Sequence, residues 1–533
     1  MEREYRSVFL GCGDGAREGR SGSTMTRYRA IITAIGCLLI APFAAGTAKP
    51  PSVAQWRAAH EAELVGRLDS LVRIPSIAAD PKAVATAADA LTAELAARGF
   101  AARMLVASSG GAPVALGSLD TPGAKRTVVF YAHYDGQPVD RAEWTSDPFV
   151  PVMRRMANGQ PQDVDWKTIA TPFDPEWRLH GRGVADDKVS IVAFLAAFDA
   201  LKAAGRKPSV NIRVFWEGEE EEGSPHLATL LGEQADLLKA DLWLIGDGPV
   251  HQSRTPTLYF GVRGVLGFDA TIYGPIRPLH DGHYGNWAPN PAALAARLIA
   301  DMRDEDGTIL IPGVGDAVRV PTTTELAAIQ ALPRVEDGLI EQLELGRSET
   351  GEGLVLSVQR PALNIRGIRA GAVGADAANA IPAEARFSAD FRLVPDQTVD
   401  GIKAAVESFL DRKGWKVVRE TPDRETRLAY PRIIRLDWSP GYAALRTDMG
   451  LPAAQAVIAA AKQAAGERPL ALVPMMGGSV PLTIFDAALK TPLVGLPIVN
   501  HDNNQHAANE NLRLGNLWDG IDLYAAMIGG LDW

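Results

Sequence analysis

The residues able to do chemistry collect directly behind apolar runs. His133 and Asp135 follow TVVFYA (127–132), and in an extended segment residues two apart face the same way. Asp135 is therefore a candidate for orienting the His133 ring by accepting its other N–H, although taken alone the pair fits a histidine salt-bridged at a strand end better than a ligand. Asp186 and Asp187 close the Gly-rich turn GRGVADD (181–187) at a helix start. The macrodipole relieves part of their repulsion, and an N-cap role suits Asp187 but leaves Asp186 unexplained. Behind VNIRVFW (210–216) stand Glu217, Glu219, Glu220, Glu221 and Glu222. So many carboxylates behind a buried strand repel one another unless some are protonated or bound to cations. Asp247 lies between two glycines after LWLI (242–245), and His501 and His506 follow the apolar stretch TPLVGLPIV. Imidazole and carboxylate donors without thiolate suit catalytic Zn²⁺, Mn²⁺ or Co²⁺, and the spare carboxylates suit a two-metal site bridged by an Asp.

The elements that must position these groups read as an α/β fold. Apolar strands (127–132, 210–216, 242–245) alternate with helical stretches at 84–97, 188–204 and 453–465, which predicts a mixed, largely parallel sheet with helices on both faces. The carboxyl ends of such strands form the binding crevice. From Gly264 the texture changes to alternating strands (264–274, 385–394) with helical stretches at 291–302 and 399–413, the pattern of a smaller α+β domain inserted into the larger one. Gly/Pro/Ser-rich breaks at 108–124, 155–176 and 345–354 read as loops.

Length and charge exclude several classes. A chain of 533 residues holds roughly two to four domains. With 54 Lys+Arg against 64 Asp+Glu, the net charge of −10 argues against nucleic acid as a partner. Arg27 and Arg29, the apolar run 30–45 and the small residues before Pro50 read as a secretory signal, cleaved after Ala48. The expectation is an exported, periplasmic or secreted protein with no membrane span after cleavage; an uncleaved N-terminal tether is the alternative. Cys12 and Cys37 both fall inside this leader, so the predicted mature chain has neither disulfide nor thiolate ligand.

The ordered set AHYDGQP (132–138), GRGVADDK (181–188), EGEEEEGS (217–224), Asp247, PLHDGHYGN (278–286) and QHAANE (505–510) resembles the M20 family of dinuclear zinc peptidases, and within it the carnosine-dipeptidase-like branch. The resemblance runs from about residue 55 to the end. It implies two divalent metals, zinc before manganese or cobalt, with His133 and Asp247 on one, Glu221 and His506 on the other, and Asp186 between them. It makes Glu220 the general base for a metal-bridged water, Asp135 and His280 further catalytic residues, and Arg392, Asn379, Gly478 and Ser479 substrate-binding. His280 would reach the site from the inserted domain, commonly that of the other subunit of a homodimer. A cis peptide is implied after the bridging Asp. The domains implied are a catalytic one of about 51–263 and 438–533, interrupted by a lid and dimerisation domain of about 264–437. Asp281 and Gly136 depart from the family's usual residues, and the stretch Met153–Trp177 is longer than in compact relatives, which suggests a loop over the cleft.

In the family, Asp at position 247 accompanies dipeptidases and aminopeptidases. With Arg392 for a terminal carboxylate, this favours hydrolysis of dipeptides or short peptides. An N-acyl-amino-acid deacylase on the same scaffold is the runner-up, and an exported two-domain solute-binding protein is the reading from another class.

Overall fold

The strands predicted at 127–132, 210–216 and 242–245 gather into one eight-stranded sheet in a computed structural model that describes residues 50–533 except Ala317, Ser479, Val480 and Pro481. The expected leader and Ser479 lie outside the described residues. In spatial order the strands are Ala101–Ala107, Gly110–Leu119, Asn211–Glu217, Thr127–His133, Leu242–Ile245, Leu493–Gly495, Thr257–Tyr259 and Ala471–Val473. The three central ones are parallel and in step: Ala132 lies opposite Trp216, and Tyr131 opposite both Phe215 and Ile245. Their carboxyl ends therefore stop at one level. Everything that follows them in sequence, His133, Glu217–Glu222 and Asp247, emerges along one edge.

Helix Lys188–Ala203 explains the depth of this edge. It is apolar on all sides and almost wholly buried, as a helix sandwiched between a sheet and outer helices must be. Phe194 packs there against Phe100, Phe130, Trp216 and Tyr524, joining helix, sheet and the C-terminal helix Leu514–Gly530 in one apolar mass. A second core covers the opposite face of the sheet, around Tyr131, Phe215, Trp243 and Phe485.

A third core lies within residues 266–436. Strands Ala362–Arg369, Glu384–Leu393, Gly264–Tyr273 and Ile433–Tyr442 pair antiparallel in that order, with Lys416–Val418 added in parallel at the edge. Helices Pro291–Met302 and Val399–Arg412 cover one face of this sheet, burying Leu298, Val406 and Leu410 against Phe268, Phe387 and Phe391. No helix among the described residues is long and apolar enough to cross a membrane.

Two stretches expected as loops are strands. In Gly110–Leu119, Gly117 lets the backbone pass close beneath a helix: a Cβ there would lie 3.1 Å from the Leu95 side chain, while Gly110 and Gly111 take positive φ at the start of the strand. In Met153–Trp177, strands Val152–Ala157 and Gln160–Val164 form a hairpin that joins Arg178–His180 and Asn511–Arg513 in a four-stranded sheet. The second strand of that hairpin is exposed at four of its five residues, so it shows no apolar alternation to read.

Candidate metal centre

His133 is the last residue of its strand, and its ring is fully buried. Its Nδ1 faces Asp135 Oδ1 at 3.3 Å and its Nε2 faces Asp186 Oδ1 at 3.0 Å. The second oxygen of Asp186 lies 3.2 Å from His506 Nε2, which in turn is 3.3 Å from Glu221 Oε2. Asp186 thus stands between two imidazoles with one oxygen toward each. Around it the chain forms two donor groups, His133 with Glu220 and Asp247, and Asp186 with Glu221 and His506; within each, one ligand atom per residue lies within 4.8 Å of the others.

Local sequence explains each placement. The Asp186–Asp187 peptide is cis. Asp187 occupies the N-cap of Lys188–Ala203 but does not cap backbone N–H groups; its Oδ1 accepts the Ser190 hydroxyl instead. Glu220–Glu222 form a single 3₁₀ turn closed by Gly223 at φ +81°, which brings consecutive glutamates back over the strand end. His506 itself has φ +59°, between Asn504 at +58° and Asn509 at +61°, in a loop held by asparagine side chains.

The electrostatics fit dications. Burial, then the charge of Asp186, pushes Glu221 up to about 7 and Asp247 up to about 6. Burial, with Asp247 and Asp186 adding to it and His133 opposing, also raises Glu220. Asp186 moves the other way: burial works against its charge, but hydrogen bonds with His133 and His506 hold it well below the usual carboxylate range. Glu221 Oε1 is buried without a hydrogen-bond partner. Carboxylates resisting ionisation around two imidazoles, with an orphaned oxygen among them, are what a pair of divalent cations relieves.

Residues the sequence reading assigned no role hold this arrangement. Glu510 is completely buried and accepts the N–H groups of Gly183 (2.9 Å), Ala185 (2.9 Å) and Asp186 (3.0 Å) besides Arg182 Nη1 (2.8 Å). Gln137 Nε2 donates to Glu221 Oε2 at 2.8 Å, and the Glu221 N–H donates to Asp135 Oδ2 at 3.0 Å. Lys188 is buried against the carbonyls of Leu71 and Ile74, and burial lowers its pKa to about 7. Glu510, Gln137 and Lys188 all lie inside the quoted motifs, so proximity in sequence was available as a signal; their partners were not.

Other expected site residues lie apart. His280 is exposed, its Nδ1 accepting the Gly282 N–H at 3.1 Å and lying 3.7 Å from Asp281 Oδ1; it belongs to neither donor group. Asn379 is exposed, and its carbonyl accepts the Asp281 N–H. Arg392 Nε lies 3.2 Å from Asp390 Oδ2. Burial, then the charge of Glu220, raises the Tyr442 hydroxyl, and Arg392 opposes that shift. Arg263, which no motif singled out, is held to a pKa of about 10 by burial and by neighbouring Arg392, and its N–H donates to the Gly478 carbonyl at 3.1 Å.

The profile of peptidase family M20/M25/M40 matches residues 129–529. The chain belongs to this peptidase family. It is 28% identical over 490 residues to the Cys-Gly metallodipeptidase dug1 of Schizosaccharomyces pombe, covering 87% of this chain and 95% of that one. It is also 28% identical over 428 residues to the human Beta-Ala-His dipeptidase, covering 78% and 76%. Among solved structures, the dipeptidase Dug1p of Saccharomyces cerevisiae superposes with a TM-score of 0.68 at 25% identity, over 90% of this chain and 97% of that one. Human carnosine dipeptidase 1 gives 0.69 at 23% identity over 90% and 98%, a likeness of fold.

Proposed function

We propose that the protein hydrolyses the peptide bond of dipeptides or short peptides with two divalent metals, zinc first among them. The observation that carries this is the pair of donor groups, with Asp186 of the second 3.0 Å from His133 of the first, in a member of a peptidase family. His133 and Asp247 would hold one ion, Glu221 and His506 the other, and Asp186 both. Ions bound there supply Lewis acidity toward the scissile carbonyl and lower the pKa of water. Glu220, next to Glu221 in the same turn, takes the proton of the attacking water and returns it to the departing amine. Asp135 orients His133. Arg392 holds the substrate's carboxylate, Asn379 also contacts the substrate, and Gly478 and Ser479 line the pocket.

Two supports favour dipeptides over N-acyl amino acids. Asp247 is the residue that accompanies dipeptidases and aminopeptidases in the resemblance, and the curated relatives above are named for Cys-Gly and β-Ala-His cleavage. The inserted domain serves as a lid and dimerisation unit in this reading: Ile276 and Trp287, 81% and 79% exposed, flank His280 and suit burial against a second copy. His280 then acts across subunits. The leader within residues 1–48 supports export.

The deciding experiment assays metal-loaded protein against panels of dipeptides and N-acyl amino acids, with and without chelator, and measures size in solution. Chelator-sensitive cleavage of dipeptides is expected, with a loss of about 10²–10⁴-fold in Glu220→Ala at unchanged metal content. Activity confined to the acyl compounds overturns the dipeptidase reading.

A further inference from the structure

A cavity of ≈ 390 Å³ opens between the segment that follows Asp247 and the one that precedes His506. Gln505, adjacent to His506, Pro249, two residues beyond Asp247, and Gly478, expected to bind substrate, are among its walls, so it borders the segments that carry a donor from each group. His251, Gln252 and Thr257 give it a polar edge, and most of the remaining wall is apolar. Val250 and Val473 come from the sheet side, Met476 from the loop after Ala471–Val473, and Val355 and Val358 from the short helix Leu354–Ser357 and its C-cap. Its lining includes no Asp, Glu, Lys or Arg among the described residues.

The cavity is built in advance of any ligand. Met476 N–H donates to the Gly261 carbonyl at 2.8 Å, Arg263 binds the carbonyls of Gly477 and Gly478, and Gln359 Nε2 donates to the Met475 carbonyl at 3.0 Å. Gly248, at φ +96°, lets the Met476 methyl close over it: a Cβ there would lie 2.7 Å from Met476 Cε. These contacts hold residues 475–478 in place, and Met475 and Met476 line the cavity. A volume at the lower end of the range for small-molecule sites holds one large side chain beside a short backbone.

We propose that this cavity is a side-chain subsite and that the enzyme selects dipeptides carrying a large apolar residue, leucine or phenylalanine in class, over those built from glycine and alanine. The inference rests on the dipeptidase reading and deepens it. A charged side chain would enter a wall with no counter-charge, whereas added methylenes displace water from apolar surface. The occupant is the side chain of either the amino-terminal or the carboxy-terminal residue, and two substrate series separate these.

The test measures kcat/KM of the zinc-loaded protein for Xaa-Gly and Gly-Xaa, with Xaa as Gly, Ala, Leu and Phe. A preference for Leu or Phe over Ala of about 10- to 100-fold in one series is expected, that series naming the residue bound. Val358→Phe fills the cavity and is expected to bring the Leu/Ala ratio close to one; Val355→Phe serves the same purpose if the first variant does not fold. Equal kcat/KM across both series overturns the subsite while the dipeptidase reading stands, and so does a Leu/Ala ratio that both fillings leave intact. No cleavage in either series overturns both.

Discussion

The Glu510 carboxylate has no exposure to solvent, and each of its four hydrogen bonds comes from the segment that carries Asp186. It lies four residues from His506, so one side chain ties the C-terminal loop to the Gly-rich turn and fixes the distance between two donors from opposite ends of the chain. Its partner Arg182 is equally buried and lies over the Trp144 ring at 5.3 Å. Removing one member of such a pair leaves an uncompensated charge. Glu510→Ala is expected to cost about 3–5 kcal/mol in denaturant unfolding. Glu510→Gln should recover little of it, because one amide oxygen cannot accept three backbone N–H groups and its NH₂ opposes the donors it meets. Full recovery in the Gln variant would show that a single acceptor suffices.

At the scale of elements, the site depends on how closely strand Leu242–Ile245 approaches helix Lys188–Ala203. Gly246, immediately before Asp247, is a point of close contact: a Cβ there would lie 2.5 Å from Tyr524 Oη, 2.9 Å from Ser190 Cβ and 3.0 Å from the Tyr131 carbonyl. Neither of the last two can retreat, since Ser190 is on the buried helix and Tyr131 on the central strand. Gly246→Ala is therefore expected to lower stability by about 1–3 kcal/mol through overpacking. It should also reduce metal stoichiometry, because Asp247 must move with the residue before it. Elemental analysis beside thermal unfolding checks both; a variant with full metal content would show that the strand end shifts without its carboxylate. The sequence made the carboxylate between glycines visible but not the reason for the first glycine, which is a contact with an element 56 residues earlier.

Across the whole molecule, the acidic excess of the sequence has a local and a global part. Asp247, raised from 3.8 to about 6, and Glu221, raised from 4.5 to about 7, bind protons more tightly in the folded metal-free chain than in the unfolded one. His133, which hydrogen bonds to Asp135 and Asp186 raise against the burial penalty, and His506, raised first by its bond to Asp186, act in the same direction. Groups with folded pKa values above their unfolded ones stabilise at low pH and lose that contribution as pH rises through the folded values. The metal-depleted protein is thus expected to lose thermal stability as pH rises from about 5 to about 8, a loss that saturating zinc removes by binding the deprotonated donors of the folded state alone. Parallel unfolding curves for chelated and loaded protein across that range would contradict the proposed donor set.

Much of this was written in the order of residues. Apolar strands ending in His133, Glu217 and Asp247, a Gly-rich turn before Asp186, and an absence of thiols beyond residue 37 follow from composition and periodicity, because strand ends and turns are local features. Glycine counts misled where glycine serves close packing rather than a turn, as at Gly117, and the exposed strand Gln160–Val164 has no alternation to detect. Tertiary structure alone decided which carboxylate faces which imidazole, the burial of Glu510 and Lys188 beneath them, and the apolar cavity between segments more than a hundred residues apart. The physical reason is distance along the chain: donor types are a property of single residues, whereas a 3 Å contact between His506 and Asp186 exists only once the sheet, its buried helix and the C-terminal loop have closed on one another.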